Sequence, residues 1–104
     1  TDDQRMPFQY SGASWCMAYL IHKNNGACAS NCTQGLKDLK SFYDNARSTN
    51  HESIFKTTFN YASYDAFYTE VTQFLNGLDY ASAETWITTL SNRLPTSNDA
   101  LTSN

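Results

Sequence analysis

The residues in this sequence best suited to nucleophilic, metal-binding or proton-transfer chemistry are Cys16, Cys28 and Cys32, His22 and His51, and Glu52, Glu70 and Glu84. Cys16, His22, Cys28 and Cys32 together have the ligand types of a closed tetrahedral zinc site, but their spacing follows none of the common zinc patterns. A Cys28 thiol beside His22 is the best available nucleophile and base. The simpler reading of His22 is a cation near the negative end of a helix dipole, with no catalytic role. Glycoside hydrolysis would need two carboxylates across a cleft. Glu52 and Glu84, like Asp65, each fall two residues after a capping side chain, where a carboxylate is favoured by the helix dipole alone. No HExxH pair, phosphate-binding loop, GxSxG turn or dinucleotide fingerprint occurs. The sequence therefore offers no catalytic constellation, no metal site and no cofactor site, and an enzyme is not expected.

The cysteines read better as a redox feature. Three of them crowd into the first third of a 104-residue chain, which is one domain with a modest core. The sequence opens Thr1-Asp2-Asp3 without an initiator methionine, as a mature chain does after its signal peptide is removed. An exported protein with one intramolecular disulfide and one leftover thiol is the expectation. Lys and Arg total 7 against 10 Asp and Glu, a net charge of −3 without any basic cluster, so a phosphate backbone would be repelled and nucleic acid is not expected as a partner. The most apolar stretch, 15–21, is far too short to span a bilayer. Eleven Ser, twelve Thr and ten Asn outnumber the ionised groups and supply an uncharged polar surface.

These residues must be positioned by helices. The two prolines, Pro7 and Pro95, bracket a stretch with few apolar β-branched residues, which a sandwich or barrel would require. Apolar spacing predicts a first helix over about 12–24, ended by Asn24-Asn25-Gly26. A second runs to Arg47, starting either near Cys28 or, if its first turns are an irregular loop, after Thr33. Three later helices, about 51–60, 64–76 and 83–94, follow one pattern, seen in Asn50-His51-Glu52, Ser63-Tyr64-Asp65 and Ser82-Ala83-Glu84: a capping side chain, then a carboxylate two residues on. The inward positions expected are Ile54, Phe55, Phe59 and Ala62, then Phe67, Tyr68, Val71, Phe74 and Leu75, then Trp86, Ile87, Leu90 and Leu94. Residues 1–104 thus form a single all-α domain, a bundle of about five amphipathic helices with loose ends at about 1–9 and 96–104. A hairpin turning at Asn25-Gly26 places Cys16 opposite the start of the second helix. Cys16–Cys32 is then the expected disulfide and Cys28 the single thiol; a Cys28–Cys32 bridge is disfavoured if both lie on one regular helix.

Tyr61, Tyr64 and Tyr80 fall in or beside the loops before the last two helices, next to Asp65, Asp79 and Glu84. If those helix starts share one end of the bundle, they form an acidic, aromatic surface of the kind that recognises proteins.

The segment Ser14-Trp15-Cys16-Met17-Ala18-Tyr19-Leu20-Ile21, with a cysteine near the helix start and a disulfide tie to the next segment, resembles the periplasmic immunity proteins of bacterial type VI secretion. In particular it resembles the all-helical Vibrio partners of peptidoglycan-degrading spike effectors. The resemblance implies a periplasmic protein without enzymatic activity that covers the active-site cleft of a peptidoglycan hydrolase. It also implies a possible homodimer. An acidic inhibitor suits the basic cleft of an enzyme that cleaves an anionic wall. The acidic contacts expected are Glu52, Asp65, Glu70, Asp79 and Glu84, with Tyr61, Tyr64 and Tyr80 as anchors. The competing reading is a secreted helical carrier with a pocket of several hundred Å3 for a small apolar ligand.

Overall fold

The computed structural model describes residues 2–97, with side chains from residue 12 onward. Five helices follow one another: α1 (Asp2–Asn25), α2 (Gln34–Asn45), α3 (His51–Phe59), α4 (Tyr64–Asn76) and α5 (Tyr80–Arg93). The described residues contain no strand, and the all-α expectation holds. No described helix is long and apolar enough to cross a membrane.

The helix α1 begins well before the expected start at 12, and Pro7 falls within its range. At its other end α1 stops in a left-handed Gly26, φ 62°. Residues 26–33 then form an irregular loop, so α2 starts after Thr33. Thr33 makes no side-chain cap; instead the Asn25 side chain accepts a 2.7 Å hydrogen bond from the Gly35 N–H and satisfies one of the first-turn donors. Gly35 is also where α2 crosses α1. A Cβ there would stand 2.3 Å from the Ile21 carbonyl oxygen, so only glycine lets the two backbones meet.

The expected disulfide is corrected by the same loop. Cys28 and Cys32 are paired, with Cα atoms 5.8 Å apart, and Cys16 is the free thiol. The objection to this pairing assumed one regular helix. The chain instead turns through a left-handed Asn31, φ 50°, which folds the two cysteines together. Cys32 is 1% exposed, and its N–H donates to the Arg93 carbonyl at 2.8 Å, pinning the loop to the end of α5.

Around the hairpin, α3 and α4 supply most of the core. Phe55, Phe59, Tyr61, Phe67 and Val71 cluster with Leu20 of α1, each large side chain contributing roughly 1.5–3 kcal/mol by burial. The turn between α3 and α4 depends on Asn60 in the left-handed region, φ 61°, which directs Tyr61 inward. Ser63 caps α4 by accepting from the Ala66 N–H at 3.1 Å. Two inward assignments differ: Ala62 and Tyr68 are exposed. The fifth helix starts three residues earlier than expected because Asp79, not Ser82, caps it, accepting from the Ser82 N–H at 2.7 Å. Trp86 holds α5 in place, stacked 6.0 Å from Trp15 and edge-on to Phe74 and His22. Part of the tail expected to be loose, 98–104, lies outside the described residues.

Candidate functional site

An open cleft of about 670 Å3 lies between α1, α2 and the α3–α4 pair. Its floor is apolar: Cys16, Met17 and Leu20 of α1, Leu39 and Phe42 of α2, Phe55 of α3, and Phe67, Val71 and Leu75 of α4. Phe67, Val71 and Leu75 recur every four residues on α4, and Met17 and Leu20, like Leu39 and Phe42, are three apart, so the cleft is the upper edge of the core, left uncovered. Tyr43 and Tyr68 line it while remaining 61% and 52% exposed. Thr72, also exposed, and the α1 residues Gly12 and Ala13 complete the edge.

One end of the cleft is built by the starts of α3 and α4. His51 Nδ1 and the Tyr64 hydroxyl share a 2.8 Å hydrogen bond, and their rings stack at 5.7 Å. Glu52 accepts the Tyr64 backbone N–H at 3.2 Å, which ties the two helix starts together. Burial, assisted by the Glu52 and Tyr68 side chains, pushes the Tyr64 phenol above its usual range. Asp65 is exposed one turn before Tyr68 and two before Thr72 along the same edge of α4. Among the described residues, Glu70 pairs with Lys23 and Asp44 with Lys40, whereas Glu52 and Asp65 have no cation within ion-pair distance. The free thiol in the cleft, Cys16, is half-buried, and burial raises its pKa, so it stays a protonated apolar lining group rather than a nucleophile.

The eight residues expected to contact a partner separate into three places. Tyr64 lines the cleft, Glu52 sits beside it through the Tyr64 N–H, and Asp65 is the exposed next residue of α4; neither carboxylate is part of the lining. Tyr61 and Glu70 belong to an internal tie: the Tyr61 and Tyr19 hydroxyls donate to Glu70 Oε2, and Lys23 Nζ reaches both Glu70 at 3.0 Å and the Tyr61 hydroxyl at 3.0 Å. Lys23 also lies 4.1 Å from the centre of the Tyr61 ring. Tyr61 is 9% exposed, which corrects its assignment as a surface anchor. Partial burial acts to raise the Glu70 pKa, but the hydrogen bonds from Tyr61, Lys23 and Tyr19 outweigh it and hold the carboxyl below its usual range. Burial and the Glu70 hydrogen bond push Tyr19 up to about 12 and Tyr61 further in the same direction.

Asp79, Tyr80 and Glu84 form the third place, the start of α5. That start follows the end of α4 by three residues, so the 13-residue α4, about 20 Å long, separates it from Tyr64. The two helix starts therefore do not share one end of the bundle. Tyr80 is 85% exposed and Asp79 is occupied as the cap of α5, which keeps its pKa low through the bonds from Ser82.

His22 lies in the last turn of α1, as expected, but its surroundings disfavour the cation. It is half-buried against Trp86 and Tyr19, and burial, with the Arg93 charge, lowers its pKa. The Cys28–Cys32 pairing removes both thiols from the zinc set and from the Cys28–His22 pair. Among the described residues no three His, Cys, Asp or Glu side chains converge as a metal site.

Sequence reasoning missed Tyr43, Tyr68 and His51 as surface-site residues. A signal existed for Tyr68: it follows Tyr64 by four residues, so one helix face carries two phenols, more polar rim than an internal stripe needs. The fold and cleft together define a small all-α protein with an uncovered apolar face. No protein family, no characterised protein and no solved structure matches the chain.

Proposed function

We propose that this protein is an inhibitory partner of a cell-wall-degrading enzyme, an immunity protein acting in the periplasm and carrying out no chemistry of its own. The observation that supports the reading most is the open apolar cleft edged by Tyr43, Tyr64 and Tyr68, with two carboxylates outside any described ion pair beside it. Exposed rigid aromatics beside apolar surface are the composition of interface hot spots. Acid beside the cleft, in a chain of net charge −3, speeds encounter with a basic cleft. The Cys28–Cys32 pair suits an oxidising compartment.

The test is to mix the purified protein with lytic enzymes encoded beside it and follow peptidoglycan hydrolysis. Stoichiometric loss of hydrolysis and a stable complex are expected. No complex and no inhibition at micromolar concentration rejects the reading.

The cleft volume of about 670 Å3 also favours a second reading, a carrier of a small apolar ligand. In that case native mass spectrometry of protein from its own source shows a bound apolar molecule, and no hydrolase forms a complex.

A further inference from the structure

We infer that the cleft takes a cationic partner segment that inserts an apolar side chain between α1 and α4 while its Lys or Arg groups meet Glu52 and Asp65. The inference rests on the proposed protein-binding role and adds the chemistry of what is bound.

The floor of the cleft is made of Met17, Leu20, Leu39, Val71 and Leu75, which can hold an aliphatic or aromatic side chain but offer nothing to a charged one. Recognition of charge has to come from beside the lining, where the nearest carboxylates are Glu52 and Asp65 and the nearest cation along α3 is Lys56, one turn after Glu52. Glu52 lies at the junction with Tyr64, and Asp65 lies on the exposed side of α4 with Tyr68 and Thr72. Neither carboxylate is in an ion pair with a described cation, in contrast to Glu70 and Asp44, so both are open to an incoming group. Tyr43, Tyr64 and Tyr68 add ring faces on which a guanidinium can stack. An anionic amphiphile would meet repulsion from the same carboxylates, and a neutral ligand would gain nothing from them.

The test uses the full-length oxidised protein and a blocked hexapeptide of alternating arginine and phenylalanine, with a glutamate–phenylalanine analogue and a neutral apolar dye as comparisons. Backbone amide shifts in the NMR spectrum are expected to move around Met17, Leu39, Val71 and Thr72 with the cationic peptide. The glutamate analogue should leave them in place. Asp65→Lys should weaken the cationic peptide by about tenfold at low salt, with a smaller loss at high salt. Thr72→Trp, at an exposed position, should block the cleft without disturbing the core. Glu84→Lys makes the same change in net charge at the remote start of α5. Should it weaken the peptide as much as Asp65→Lys, the attraction is global and the inference fails. It fails equally if the anionic peptide or the dye occupies the cleft as well as the cationic peptide does, or if the shifts fall elsewhere. Absence of any hydrolase complex or inhibition, with cationic-peptide binding as expected, would overturn the proposed function and leave this inference standing.

Discussion

Glu70 shows how much one side chain can hold together. Its carboxylate receives Tyr19 and Lys23 from α1 and Tyr61 from the α3–α4 turn, so it closes α4 onto both. A carboxyl held below its unfolded value contributes stability that is complete above that value, 4.5, and is lost as pH falls through the folded value. The two phenols behave in the opposite sense: raised above the ordinary 10.0, they contribute up to about that pH and lose their contribution as pH climbs towards the folded values. The urea midpoint should therefore fall on both sides, below pH 4.5 and above pH 10. Glu70→Gln should flatten the acid limb, and Tyr61→Phe should reduce the alkaline one. An acid limb unchanged in Glu70→Gln would show that the tie contributes nothing. Gly35 makes a second claim at this scale. Gly35→Ala forces a Cβ into the Ile21 carbonyl and should cost about 2–3 kcal/mol. Gly77→Ala meets only ordinary contacts at φ −80°, so it should be neutral or stabilising by about 0.5 kcal/mol. Urea denaturation of the two variants compares them directly.

Among the elements, capping separates what the sequence made legible from what it hid. The bounds expected for the third and fourth helices, 51–60 and 64–76, lie within a residue of those found; the left-handed Asn60 and the Ser63 cap are local backbone chemistry, whereas Gly77 ends α4 at φ −80°, not in the left-handed conformation a terminal glycine supplies. The start of α5 was not legible in the same way. Asp79 and Ser82 are both good caps three residues apart, and the choice follows from where the α4–α5 turn ends. With it goes the shared pattern of the three helix starts: Ser63 caps through its side chain, Asn50 does not, and Ser82 lies inside a helix. Ser63→Ala should therefore lower stability by about 1 kcal/mol, whereas Ser82→Ala should change it by only a few tenths, in the stabilising direction. Equal losses at the two positions in thermal unfolding would contradict the assignment of the caps. The cysteine pairing was hidden for a related reason. Apolar spacing cannot distinguish a helical start at Cys28 from a loop that carries the same residues, and only the loop allows the bridge. The cleft was legible only in part. Glu52, Tyr64 and Asp65 are marked by their place at helix starts, whereas Tyr43 and Tyr68 look like core until the packing shows which face is left uncovered.

For the whole molecule, the bridge closes a loop with a sequence separation of four, so its chain-entropy contribution is about 2 kcal/mol, less than the roughly 3 kcal/mol of a fifteen-residue loop. Cys28→Ser in place of the bridge should therefore leave a folded but less stable protein, measured by urea unfolding, with α5 the first element to loosen because Cys32 anchors the Arg93 carbonyl. Native thiol titration of the oxidised protein should return one group, Cys16, reacting slowly from its half-buried place in the cleft.

The stacked indoles give the molecule a built-in optical gauge. Both tryptophans of the chain, Trp15 and Trp86, meet across the α1–α5 seam, and neither lines the cleft. Emission from the unlabelled protein thus reports whether the last helix is seated. A guest that only fills the opening beside Val71 leaves that glow unchanged, while one that pries the bundle apart alters its colour.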